Sequence, residues 1–256
     1  MLTRVLLIFL LFSTAVWSGK YSRHIEKAIA YLNARQGDIK FDTLIGLELL
    51  QRNFGITLNV AKARERLLKK SPVKYRPYLR IFDKEAKLSD LEVSVLRGWT
   101  GFVAKVTHCD LYPLPWDFFL TMRKYASQHE SNVLQEILVL TLLDWMRCDV
   151  DRQTLQSERQ ILAEKVRGLL AGSTVGSFLW ANAVLGLFQA GRFDWVRQEE
   201  LDTLARQQLQ NGSWQNDDLY TSKALAILLW ADEMASPGKK EQRPARPLID
   251  NYPSTS

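Results

Sequence analysis

Apolar residues recur at three- and four-residue steps through most of this chain, and the segments carrying that helical period alternate between two kinds. One kind has a single apolar stripe, and the other is apolar on most sides. A helix of the second kind has to be surrounded by other helices, whereas the first lies outside with its polar face in water. The clearest pair spans residues 201–232, LDTLARQQLQNGSWQNDDLYTSKALAILLWAD. It reads as two amphipathic helices joined by a Gly-containing turn into which Trp214 is set. No segment reads as a convincing strand, so the fold class is all-α, and the recurring hairpin is a repeat signature.

Residues 21–36 place Ile25, Ala28, Ile29 and Leu32 on one face, and Gly37 ends that helix. Residues 43–54 follow with Asp42 as the expected cap, and Leu44, Ile45, Leu47, Leu49 and Leu50 leave little polar face. A third helix, 58–70, is basic and stops at Pro72. The next, 88–107, is entered through Ser89 and Asp90, and its Gly98 and Gly101 allow another helix close to Trp99. An irregular loop closed by Pro113 and Pro115 leads to the pairs 116–127 with 132–147, 157–170 with 175–189, and 196–210 with 219–234. About ten helices are legible. The first and last pairs align, LNARQ ending at Gln36 on LARQQ ending at Gln208, and Thr43 to Leu50 on Thr221 to Leu228.

At 256 residues, 46% of them hydrophobic and eight of them Trp, the chain can fill the core of one large domain. Residues 1–18 read as a secretory signal: Arg4, the apolar run Val5 to Phe12, then small residues up to Ser18. That run is shorter than the roughly 20 residues that cross a bilayer, and no later segment is long and apolar enough. The expected protein is therefore secreted or periplasmic and not transmembrane. Loss of the signal removes one Arg and lowers the formal charge from +6 to +5. Residues 19–235 form the expected domain, and 236–256, rich in Pro, Ser and charge without a helical period, read as a disordered tail.

Two cysteines remain, Cys109 and Cys148. Export to an oxidising compartment predicts one disulfide between them. Unpaired thiols are an alternative. Lys62, Arg66, Lys69 and Lys70 belong to a basic run opposed only by Glu65, which reads as the solvated face of an outer helix or as a patch for an anionic surface. No aromatic interleaving marks it for base stacking, so no specific nucleic acid is expected. The remaining partner, ligand or protein, is not named by the sequence. Asn211-Gly212-Ser213 satisfies the N-glycosylation pattern, which matters only in a eukaryotic host.

Leu204-x-x-x-Gln208-x-x-x-Gly212-x-Trp214, followed by Thr221 and Ala224-Leu225, resembles the QW repeat of squalene and oxidosqualene cyclases. Related hairpins occur in protein prenyltransferase beta subunits and in the thioester domains of complement-like proteins. The resemblance covers about thirty residues well and the rest only as helix alternation; the first pair has Ile39 where the Trp falls. It implies an α/α toroid of about five to six hairpins, the ring complete or not, with apolar helices inside and mixed ones outside. In such a repeat the Gln and the indole staple neighbouring hairpins, a structural role.

The catalytic strings of these relatives are missing. There is no Asp-x-Asp-Asp acid, and Asp217-Asp218 is only a pair placed to cap a helix. There is no Asp-x-Cys with a later zinc-binding His, and no Cys-Gly-Glu-Gln thioester. Toroids of the lanthionine-cyclase type bind zinc through one Cys plus an adjacent Cys-His pair, so the resemblance implies as an alternative to the disulfide a zinc site of His108, Cys109 and Cys148, with Asp110, Asp149 or Asp151 as oxygen donors, although the Cys-His pair stands reversed here. Toroids that act on glycans use paired carboxylates or a Tyr or His base, for which Glu48 and Asp144 on the apolar helices are the cavity candidates. His24 and His129 read as solvated. The expectation is a non-catalytic, exported binding or interaction module of the terpenoid cyclase/prenyltransferase-like kind. A zinc-dependent transferase or cyclase, or a glycan-active enzyme, is the alternative.

Overall fold

The computed structural model describes residues 19–35, 39–70, 75–129 and 132–235. The expected signal segment and tail lie outside the described residues, as do Gln36 and Gly37 of the first hairpin. Among the described residues the chain is all-helical, with twelve α-helices and no strand: α1 (Ser22–Arg35), α2 (Phe41–Phe54), α3 (Ala61–Lys70), α4 (Arg76–Leu79), α5 (Asp90–Val95), α6 (Gly98–Thr107), α7 (Phe118–Ala126), α8 (Val133–Trp145), α9 (Arg152–Ala171), α10 (Phe178–Gln189), α11 (Gln198–Arg206) and α12 (Asp218–Ala235). None of them is long and apolar enough to cross a membrane.

The two kinds of segment take two kinds of place. α1 buries the stripe Ile25, Ala28 and Leu32, α7 buries Phe118, Met122 and Ala126, and α11 buries Leu201, Leu204 and Ala205. α10 instead buries residues on nearly every side, from Trp180 to Phe188, and packs on α8, α9 and α12. Each even-numbered helix touches the next: α12 lies on α2 and α10, α10 on α8, α8 on α6, and α6 on α4. Phe41 of α2 then meets α4, its ring stacked 4.1 Å from Tyr75 and edge-on to Tyr78 at 5.5 Å.

Two helices more than expected are present, and both have local causes. Residues 88–107 are broken because Leu96 and Arg97 are extended and Gly98 is left-handed, with φ +60°. Gly101 receives the carbonyl of Leu96 from this break, 2.6 Å from where a Cβ would stand, and it is Tyr125 of α7 that approaches Gly98 and Trp99. The other addition, α4, is a single turn with Pro77 in its first turn, too short to leave a period. Ser89 caps α5, the expected entry point, and does so in a reciprocal box with Glu92. Asp42 does not cap α2; the helix begins two residues earlier than expected, after Lys40, and Asp42 sits in its first turn, where a carboxylate suits the helix dipole.

The last hairpin is fastened to the first helix. The Gln208 carboxamide donates to the His24 carbonyl at 2.9 Å and to the Gly212 carbonyl at 3.0 Å, and its oxygen accepts from His24 Nδ1 at 2.8 Å. His24, expected in solvent, is thus half-buried and part of the staple. The Trp214 indole is buried and donates to the Leu204 carbonyl at 2.7 Å. Its backbone N–H donates to Thr221 Oγ1 at 3.0 Å, which itself donates to the Asp217 carbonyl. Asp217 caps α12, accepting from the Tyr220 N–H at 2.6 Å, and Asp218 accepts from Tyr31 and Arg35 of α1. At the other end of α12, buried Asp232 accepts the Tyr21 N–H at 3.0 Å.

Cys109, after α6, and Cys148, after α8, form the expected disulfide, with Cα atoms 5.4 Å apart. Replacing both by Ser should lower the unfolding free energy by about 2–4 kcal/mol, because the closed loop no longer restricts the unfolded chain; denaturant titration of both proteins measures this. Gly212 adopts φ +89°, and a Cβ there would stand 2.3 Å from the Lys27 carbonyl oxygen. Gly212→Ala should therefore lose about 2–4 kcal/mol from strain and overlap together, read as a lower denaturant midpoint, whereas Gly191→Ala, with the same sign of φ but open space around it, should lose less.

Candidate functional site

The even-numbered helices leave a cavity of about 490 Å³ between them that opens to solvent. Phe41, Asp42, Ile45, Leu49 and Phe54 of α2 form one side, continued by Tyr75 and Tyr78 at α4 and Thr100 of α6. Gln135, Ile137, Leu138 and Thr141 of α8, and Phe178, Asn182, Leu185 and Gln189 of α10, form the second. α12 completes it with Leu219, Ser222, Lys223, Ala226 and Trp230. The volume and the mixture of apolar walls with a few polar groups are those of small-molecule sites.

Most polar groups of the wall are held by neighbours. Thr141 Oγ1 is paired with the Gln189 carboxamide, and Trp230 stands edge-on to Phe54 at 5.3 Å. Lys223 is different. Its Nζ donates to Asn182 Oδ1 and lies 3.8 Å from the Phe178 ring centroid, both neutral partners. It forms no ion pair among the described residues. Burial lowers its pKa to about 8, partly offset by the more distant carboxylates of Asp217 and Asp42. Its sequence signal is the single cation of α12, followed directly by the apolar run Ala224 to Trp230.

Neither carboxylate expected in the cavity is in its wall. Glu48 is buried against Arg52, which holds it at 2.7 Å from the next turn of α2 and also donates to the Ile81 carbonyl. Asp144 pairs with Arg159 of α9. The structure does not bring the two together at one cleft.

The zinc alternative fails on its own ligands. Both sulfurs are joined to each other. His108 is fully buried and its Nε2 accepts the Leu88 N–H at 2.9 Å, so the proton sits on Nδ1 and is donated to the Ala104 carbonyl at 2.9 Å. Burial lowers its pKa, as befits a neutral ring that pins the start of α5 to the end of α6. Asp110 is held by buried Arg80, and Asp151 caps α9 through the Thr154 N–H at 2.8 Å. His129 is exposed, as expected. Of the basic run, Lys62 and Arg66 are exposed on α3, Arg66 donating to the Ile39 carbonyl at 2.8 Å, and Lys69 pairs with Glu65 at 2.6 Å. The Lys70 side chain lies outside the described residues.

Carboxyls with raised pKa lie elsewhere, at the junction of α7, α8 and α9. Glu136 of α8 and Glu158 of α9 are both buried, paired with Lys165 at 3.2 Å and with Arg123 at 3.6 Å. Burial raises both, and the two carboxylates also act on each other at Glu158, whose Oε2 has no hydrogen-bond partner.

Comparison with family models, curated proteins and solved structures finds no match to this chain.

The folded protein holds the protons of Glu136 and Glu158 to higher pH than the unfolded chain does. Their contribution to stability is therefore present at acid pH and is lost as pH rises through their raised values. Glu158→Gln should stabilise the protein at pH 7 by about 1 kcal/mol, the order of a buried acceptor left unmade. The difference should vanish near pH 4; thermal melts across that range check both the sign and the window.

Proposed function

We propose that this chain is an exported, non-catalytic member of the α/α-toroid architecture, resembling the terpenoid cyclase/prenyltransferase repeats, that binds a small, largely apolar molecule in the cavity at the centre of its ring. Three features support the toroid. Mixed and apolar helices alternate in order, the even-numbered helices contact one another in a circuit from α2 through α12 and back by way of α4, and the Gln208–Trp214 hairpin closes on α1. The observation that carries the binding reading is the cavity itself, about 490 Å³, walled by all six even-numbered helices and lined by Ile45, Leu49, Leu138, Leu185 and Trp230 among a few polar groups. The functional role follows from the site and not from the fold. Export rests on the first eighteen residues and agrees with the disulfide.

A neutral solvatochromic dye such as Nile red should bind the purified protein at one site per chain with blue-shifted emission. Ala226→Trp, which fills the cavity from α12, should weaken that binding at least tenfold without lowering the melting temperature by more than a few degrees. Dye binding that the Ala226→Trp protein retains in full would overturn the assignment.

A further inference from the structure

Among the described residues the cavity wall carries one cation, Lys223, and its close partners are neutral: the Asn182 carboxamide oxygen and the face of Phe178. An ammonium withdrawn from water is costly unless an anion meets it. The carboxylates that act on it, Asp217 at the head of its own helix and Asp42 on α2, do so only from beyond ion-pair distance, and both are exposed. α10 offers it no charge, and α1 and α11, the other helices packed on α12, contribute nothing to the cavity wall. One position for an anion is therefore built into a wall whose other described residues, Asp42 apart, are neutral.

We propose that the ligand is an amphiphile with a single carboxylate head, the head accepting from Lys223 Nζ beside Asn182 and the apolar body lying against Ile45, Leu49, Leu185 and Trp230. A single charge is specified because the wall holds a single cation and Asp42 stands at the same wall, so a multiply charged head such as a diphosphate leaves charge uncompensated. This inference rests on the binding reading above and names its ligand class.

Calorimetry with decanoate, 1-decanol, decyltrimethylammonium and decyl phosphate at pH 7 tests it. Decanoate should bind at one site about ten- to a hundredfold more tightly than 1-decanol, the worth of a charge-assisted hydrogen bond. Decyltrimethylammonium should bind more weakly than either. Lys223→Met should abolish the preference, so that decanoate binds no more tightly than 1-decanol to the same variant, while its melting temperature is kept or raised by removal of a partly buried charge. Raising the pH from 7 to 10 should weaken decanoate and not 1-decanol, because the ammonium is lost over that range. Equal affinities of decanoate and 1-decanol for the unaltered protein would overturn the carboxylate inference and leave the cavity reading standing. Failure of every amphiphile to bind would sink both. Decyl phosphate binding more than tenfold tighter than decanoate would replace the carboxylate by a phosphate.

Discussion

The contact between the first helix and the last hairpin organises this molecule. Gln208 reaches the His24 carbonyl with its amide and takes the His24 ring proton on its oxygen, a two-way grip that a shorter or charged side chain cannot reproduce. Gly212 lets the turn lie directly on the backbone of α1, and Trp214 fills the space beneath while its indole N–H satisfies the last turn of α11. Tyr21, Tyr31 and Arg35 reach across to Asp202 and Asp218 from the other side of the same junction. With α12 held there, it can touch α1 and α2 at once and complete one wall of the cavity.

That boundary explains why a cavity survives in a chain rich in large apolar residues. A helix that is apolar all round turns one face to its outer partners, two flanks to its neighbours and a fourth face inward. On α12 the outward and lateral positions are filled by Leu225, Ile227, Leu228 and Leu229, all fully buried, while Ser222, Lys223, Ala226 and Trp230 are left for the inward face. Small or polar residues there, with Asn182 and Thr141 on the facing helices, keep the wall from collapsing onto itself. The same division places the awkward buried acids, Glu136 and Glu158, on the outer side of α8 and along α9, where Lys165 and Arg123 reach them from partly solvated positions.

Periodicity made the helices and their two kinds legible, because burial on one face or on all faces is what writes the pattern. Ser89 before α5 and Asp217 before α12 are readable as caps for a similarly local reason. The break at Leu96–Gly98 was not, since an apolar period runs straight through it and only the positive φ of Gly98 marks the turn. Glu48 and Asp144 show the limit for the site. Their helices were placed correctly, but a side chain on an all-round apolar helix is aimed by a rotation that neighbours decide, and an arginine one turn or one helix away had already claimed each carboxylate. His24 and His108 likewise turned on long-range partners, Gln208 and the Leu88 amide, that no local window contains. Lys223 was passed over because a lone lysine on a helix ordinarily reaches water.

The Tyr21 amide and the Asp232 carboxylate are 211 residues apart in sequence. A ribosome delivers α1 first and its main partner last, so the stripe of Ile25, Ala28 and Leu32 has no cover during most of synthesis. Long-range closure of this kind delays commitment to the native state, since the loop entropy is spent before its contacts form. The junction that covers α1 therefore cannot form before α12 has been made, and the step that closes the fold waits for a segment far along the chain.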